Sequence, residues 1–289
     1  MSPPPDFSEA VTAERLVTDL KPLSPVAHVL ARLQRLLSDP NSGLDDIAEL
    51  IRLDAALTTR IIQISNSVWY RRGLPCASIA EAMNRVGFRE VYKIVGVVAS
   101  DSLVSQPLTA YGRNALATWR ESVAGAFAAE LLADRLGEDM PGAYMMGLLH
   151  VIGRLPINQY LQAAKAPTRV LTDEGFPHDH SGAEFALLGF TQADTGALML
   201  TKLGFAPAVV EPIAHQYAPL ETPGAYDRMA AILYAARLLS TAYGRQPPVV
   251  EIKADAEILG LIHLTAEDVL SHLPDLTTQL SRALQLTKV

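Results

Sequence analysis

The sequence predicts an all-α fold. Three observations carry the prediction. Apolar residues recur at spacings of three and four along most of the chain, several of these runs follow helix-start signatures, and alternating strand patterns are scarce. Of 289 residues, 49% are hydrophobic and 19% charged, enough apolar side chain for a large buried core and too apolar for global disorder.

Taken in order, Asp45 precedes Ile47, Leu50 and Ile51, a short amphipathic set. Asp54 is placed to cap a helix from Ala55 with Leu57, Ile61 and Ile64 on one face. Ser78-Ile79-Ala80-Glu81 reads as a capping box, the hydroxyl taking the amide three residues on and Glu81 reaching back. Ser181-Gly182-Ala183-Glu184 and Thr265-Ala266-Glu267-Asp268 have the same form. After Gly87, the positions Val91, Ile94, Val95 and Val98 continue at helical spacing. Leu116, Trp119, Val123, Phe127 and Leu131 predict one long amphipathic helix, whose Ala124, Gly125, Ala126, Ala128 and Ala129 leave room for a close neighbour. The run Pro247-Pro248-Val249-Val250-Glu251-Ile252 has a β look but is too isolated to found a sheet. Proline and glycine breaks divide the chain into a loose tail (1–17), a domain (18–218, with sub-lobes 18–108 and 110–218) and a C-terminal helical extension (219–289). Leu259, Leu261, Leu264, Val269, Leu270 and Leu273 give that extension an apolar face, to cover the domain or to pair with a second copy.

Several function classes are excluded at this level. No apolar run approaches the ~20 residues of a spanning helix, and the start Met1-Ser2-Pro3-Pro4-Pro5-Asp6 lacks the basic-then-apolar layout of a secretion signal. The single cysteine, Cys76, makes no internal disulfide and supplies no pair for zinc, which fits a reducing cytoplasm. Lys and Arg number 24 against 31 Asp and Glu, a net charge of −7, and the densest basic spot is Arg71-Arg72. A partner that is bulk nucleic acid or an anionic membrane is therefore not expected.

A set of fragments then falls in a fixed order: Pro22-Leu23-Ser24-Pro25-Val26; Asp46-Ile47-Ala48-Glu49-Leu50-Ile51-Arg52-Leu53-Asp54-Ala55-Ala56-Leu57; Ile64-Ser65-Asn66-Ser67; Ile79-Ala80-Glu81-Ala82-Met83-Asn84-Arg85-Val86-Gly87; Trp119-Arg120-Glu121-Ser122; Gly147-Leu148-Leu149-His150-Val151-Ile152-Gly153-Arg154-Leu155; Leu188-Gly189-Phe190-Thr191-Gln192-Ala193-Asp194-Thr195-Gly196-Ala197; and Ile213-Ala214-His215-Gln216. In order and spacing this series resembles the HDOD family, the HD-related output domains of bacterial signalling proteins, from about Thr18 to Ala218. The resemblance implies an all-α, HD-like helical bundle related to the metal-dependent phosphohydrolases and used as a regulatory module.

HD chemistry needs imidazoles and carboxylates converging on a divalent ion that lowers the pKa of bound water. By the resemblance, the expected ligand positions fall at Glu121, at His150 and Val151, at Gln192, at His215 and Gln216, and near Ala236. Val151 and Ala236 donate nothing, and the glutamine amides carry no charge. Glu121, His150 and His215 remain as at most three donors, a two-histidine, one-carboxylate set that holds iron in other folds. Metal held by these three is the weaker reading, and no cofactor is expected.

Read by themselves, these residues have plain roles. His150 lies in an apolar segment as a core histidine. Arg154, four residues on and so on the same face, is a salt-bridge partner or a phosphate grip. His215 and Gln216 close a helix. His178-Asp179-His180 reads as a solvated loop, Asn66-Ser67 as a C-cap and turn in which Asn tolerates left-handed backbone, and Cys76 has no basic partner to activate it.

The expectation is a non-catalytic, cytoplasmic output domain that acts through protein–protein contact. The relic groove of Glu121, His150, Arg154, Gln192, His215 and Gln216 is the place for a small ligand. With no receiver, kinase or cyclase domain in this sequence, the partner is expected in trans, and a homodimer is one form of it. The alternatives are a divergent metal-dependent phosphohydrolase and a sensor that binds a nucleotide without cleaving it.

Overall fold

The computed structural model describes residues 11–20, 26–39, 41–68, 70, 73–171, 179–243 and 254–286. Its helices are, in chain order, α1 (Ala13–Asp19), α2 (Val26–Ser38), α3 (Leu44–Arg52), α4 (Ala55–Ser65), α5 (Ile79–Val86), α6 (Phe88–Leu103), α7 (Ala115–Leu136), α8 (Met140–Leu149), α9 (Arg154–Ala163), α10 (Ser181–Leu188), α11 (Gln192–Lys202), α12 (Pro207–Ala214), α13 (Asp227–Tyr243), α14 (Ala256–Gly260), α15 (Ala266–Ser271) and α16 (Leu273–Leu286). The all-α expectation holds: among the described residues the one extended pairing is an isolated antiparallel bridge between Leu108 and Arg113. The run Pro247–Ile252, the pair Arg71-Arg72 and the fragment Pro22–Pro25 lie outside the described residues.

Local start signals decide where the helices begin. Asp54 Oδ1 accepts the Leu57 amide at 3.0 Å, and Thr265 and Asp268 form the reciprocal box. At Ser78 only half the expected box forms. The hydroxyl accepts the Glu81 amide at 3.2 Å, but the Glu81 carboxylate takes the amide of Ala77 at 2.9 Å. Ser181 caps nothing, because the N-cap of α10 is His180 and Glu184 turns inward. Asn66 does end α4, but at φ −93°, not in left-handed backbone. Its amide side chain clamps the N–H and C=O of Cys76 at 2.7 and 2.9 Å.

The long helix α7 differs from the amphipathic expectation. Leu116 is 53% exposed, whereas almost every residue from Thr118 to Ala133 is buried. Helices α8 and α13 pack along it, with α6 and α16 against other faces, so it is a central rod with no solvent face to keep polar. The small residues read from the sequence serve the α7–α8 crossing. A Cβ added at Gly147 would sit 2.4 Å from the Gly125 carbonyl oxygen, and one at Gly125 would sit 2.8 Å from the Gly147 carbonyl oxygen. Only glycine lets the two backbones meet at this distance.

One apolar core runs from Val17 of α1 to Ala283 of α16. Leu259, Val269, Leu276 and Leu280 bring the C-terminal helices into it. A second, smaller cluster gathers Leu16, Leu108, Tyr111, Ile157, Leu161 and Leu171. Burying each large aliphatic contributes about 1.5–3 kcal/mol before entropy is counted. The loose tail expected over residues 1–17 does not reach Ala13–Val17. These residues form α1, bury Ala13, Leu16 and Val17, and pack on α9 and α11. Among the described residues no helix is long and apolar enough to cross a membrane.

Candidate functional site

Of the residues singled out from the sequence, Glu121, His150, Arg154, Gln192 and Gln216 meet where α7, the α8–α9 turn, α11 and the end of α12 converge. His150 is the C-cap of α8, not a residue inside a longer helix. The backbone turns through 150–153 before α9 begins at Arg154, so His150 and Arg154 do not share a helix face as their spacing suggested. Gly153 makes this turn fit: a Cβ there would fall 1.9 Å from the Gln192 carbonyl oxygen.

His150 is 2% exposed and its Nδ1 lies 2.6 Å from the Gly147 carbonyl. A carbonyl only accepts, so Nδ1 carries the proton. Burial holds the imidazole down at about 4, the Arg237 and Arg154 charges add to this, and Glu121 opposes it. His150 is therefore neutral at physiological pH.

Its main-chain carbonyl is the hub of a second set of contacts. Gln192 Nε2 and Gln216 Nε2 each donate to it at 3.0 Å. Gln192 Nε2 also donates to the Tyr217 hydroxyl at 3.0 Å, and Gln216 Nε2 to the Ile213 carbonyl at 3.1 Å. Because the His150 carbonyl accepts from both amides, their orientation is fixed. The two Oε1 atoms are buried without a donor.

The charges lie alongside. Arg154 is 1% exposed, and its Nη1 donates to Glu121 Oε2 at 3.0 Å. Arg113 Nη2 lies 2.9 Å from the same oxygen. A buried guanidinium does not give up its proton, so Arg154 requires this counter-charge. Arg237 donates to the Gln216 carbonyl at 2.8 Å, stacks 4.6 Å over the Tyr217 ring and faces Asp179 Oδ2 at 3.9 Å. Glu184, pushed up by burial, accepts from the Tyr111 hydroxyl at 2.9 Å and the Gln192 amide at 2.7 Å. Tyr111 in turn lies edge-on to His180, with ring centroids 4.9 Å apart.

These contacts correct parts of the sequence reading. His215 is half-buried and turns back on its own helix, Nδ1 lying 3.0 Å from the Glu211 carbonyl, while Gln216 takes the place beside His150. Of the His178-Asp179-His180 set, His178 lies outside the described residues. Asp179 faces Arg237, and His180 is buried on Tyr111, so these two border the cleft and are not a solvated loop. Arg113, Tyr111, Glu184, Tyr217 and Arg237 were not anticipated as part of the cleft. The available signal was adjacency, since Tyr217 and Arg237 directly follow the matched positions Gln216 and Ala236.

The donors present do not fit the divalent ion of HD chemistry. The set Glu121, His150 and His215 is not assembled, and among the described residues no three His, Cys, Asp or Glu side chains are grouped to hold a metal. Glu121 is engaged by two guanidiniums and His215 by its own helix. Arg113, Arg154 and Arg237 already balance Glu121, Glu184 and Asp179, so a dication would enter as uncompensated buried charge.

The HDOD domain matches residues 23–219, about two thirds of the chain. The chain belongs to the HDOD family. An HDOD domain protein of unknown function from Geobacter sulfurreducens superposes at a TM-score of 0.68 with 19% identity, covering 97% of this chain and 98% of that one. A protein from Shewanella amazonensis SB2B, provisionally named a phosphohydrolase, superposes at 0.67 with 23% identity and covers 97% and 98%. At these identities the likeness shows the HDOD fold. An uncharacterised protein of Treponema pallidum (strain Nichols) is 30% identical over 128 residues, 44% of this chain. The match spans about a quarter (24%) of the length of that curated relative.

Proposed function

We propose that this HDOD chain is a signal-transduction output domain that works by contact with other proteins, in the cytoplasm, and catalyses no hydrolysis. The observation that carries the reading is the ion pair between Arg154 and Glu121 inside the ancestral cleft. Hydrolysis by an HD centre depends on a cation that turns bound water into hydroxide near neutral pH. Here the cation of the cleft is a guanidinium, which has no open coordination position and cannot acidify water. His150 is neutral, and its Nδ1 proton is committed to Gly147. Gln192 and Gln216 tie α11 and α12 to the α8–α9 turn through one carbonyl. The cleft thus supports a rigid, cross-linked scaffold whose outer surfaces are free to carry specificity. The α4–α5 connection holds Val68 and Leu74 out in water, apolar side chains that a partner surface would cover.

The test of the catalytic half is a phosphodiester and cyclic-dinucleotide hydrolysis assay on the purified chain with added manganese, magnesium or ferrous iron. The expected result is no product above the buffer blank, and none that distinguishes the wild type from H150A. Turnover abolished by H150A overturns the reading. The contact half is tested by cross-linking in cells, identification of the captured chain and reconstitution from purified components. Failure of every captured candidate to form a complex overturns it.

A further inference from the structure

We propose that a second site, sharing no lining residue with the cleft and independent of the function proposed above, lies between α6, α7 and α16 and takes a small monocarboxylate whose apolar body is about one ring in size.

The first observation is space. A cavity of about 210 Å³ is bounded by Ile94 and Val97 of α6, Phe127 of α7 and Ala283 of α16, with Tyr70, Glu90, Lys93, Gln279 and Arg282 supplying the polar side. An apolar cavity of about 150 Å³ admits benzene. This one therefore has room for a ring with a short acidic substituent.

The second observation is how the polar groups are engaged. Lys93 Nζ is 2.7 Å from Glu90 Oε1 and 3.6 Å from Glu130 Oε1. The Tyr70 hydroxyl donates to Glu90 Oε2 at 2.9 Å, and the Tyr92 hydroxyl donates to Glu130. Lys93 and both phenols are thus committed. Arg282 is not. It stacks 4.8 Å over the Tyr70 ring, its Nη2 stays 3.7 Å from Glu90 Oε2, beyond hydrogen-bonding distance, and its Nε–H has no acceptor. Its side chain is 41% exposed, so it can be reached from solvent.

The chemistry of the occupant follows from these groups. A guanidinium whose Nε–H lacks an acceptor beside a cavity matches a planar carboxylate, the partner that guanidinium N–H groups take best. A cation is disfavoured, because Lys93 already lies against both carboxylates. A phosphate dianion is disfavoured by the negative charge of Glu90 and Glu130 beside it. The ring would lie against Ile94, Val97 and Phe127, and the occupant would join α16 to α6.

The experiment is calorimetric titration of the full chain with phenylacetate, phenylacetamide and phenyl phosphate. Phenylacetate is expected to bind at or below about 1 mM, and the other two at least tenfold more weakly. R282Q should lower phenylacetate affinity about tenfold and leave the amide unchanged. Q279W, which fills the cavity from its wall, should abolish binding. Thermal melts establish that each variant is folded, and either one alone carries the test. Absence of phenylacetate binding, equal affinity for acid and amide, or wild-type affinity in either folded variant overturns the proposal.

Discussion

Two ionic clusters in this molecule are built from similar ingredients and end differently. In the cleft, Glu121 and Glu184 meet Arg113, Arg154 and Tyr111. Between α6, α7 and α16, Glu90 and Glu130 meet Lys93, Arg282, Tyr70 and Tyr92. Arg154 of the first cluster is 1% exposed, and its guanidinium lies on Glu121. The second cluster keeps its charges at the border of a cavity. Where charge is sealed in, the cost of removing a partner is high, because the group left behind has no water. Where solvent reaches, the cost is small and the space can serve a ligand.

The largest expected contrast comes from breaking one charge in each cluster. R154A removes from Glu121 one of the buried charges that balance it and is expected to cost about 3–5 kcal/mol in chemical denaturation. E90Q, at the cavity border where the Glu90 side chain is 31% exposed, is expected to stay within about 1 kcal/mol, because a solvent-reached ion pair contributes little. Equal costs would erase the distinction between the two clusters.

A contrast in pH dependence comes next. Unfolded imidazole titrates near 6.5, whereas folded His150 is held at about 4. Between these values the unfolded chain binds the extra proton. The stability contributed by His150 is thus complete above about 6.5 and lost as pH falls toward 4, about 3 kcal/mol over the full window. Glu184 and Glu130, both pushed up, contribute with the opposite sign. The readout is therefore the difference between wild type and H150Q, whose denaturation midpoints should converge as the pH is lowered.

G153A sharpens the picture of how the cleft is assembled. Its Cβ would sit 1.9 Å from the Gln192 carbonyl oxygen and 2.6 Å from the Gly196 amide nitrogen, both backbone atoms that cannot rotate away. A loss of about 1–3 kcal/mol in thermal or chemical unfolding is expected. The smallest effect belongs to the outer surface: V68S with L74S should move stability by no more than about 0.5 kcal/mol, while weakening any partner complex that uses the α4–α5 connection.

How much of this was legible beforehand depended on the range over which each feature is determined. Helices with local signals, such as the one capped by Asp54, were readable because cap and apolar face lie within a few residues. The ordered fragments located the cleft, and Glu121, Arg154, Gln192 and Gln216 do lie in it. The electrostatics were not readable, because the partners come from distant segments. Arg154 reaches Glu121 across 33 residues, and Tyr111 reaches Glu184 across 73. Glu184 was misread for the same reason: its spacing from Ser181 satisfied a local capping rule, but tertiary contacts with Tyr111 and Gln192 decided its position. His215 failed in the opposite direction, a matched position that its own helix claimed.

The claim beneath all of this is that the positive charge in the cleft belongs to arginine. It is tested most directly by elemental analysis of the purified chain after equilibration with excess manganese or ferrous iron. The account predicts bound metal far below one ion per chain, with no difference between wild type and H150A. A stoichiometric ion that disappears in H150A would contradict it.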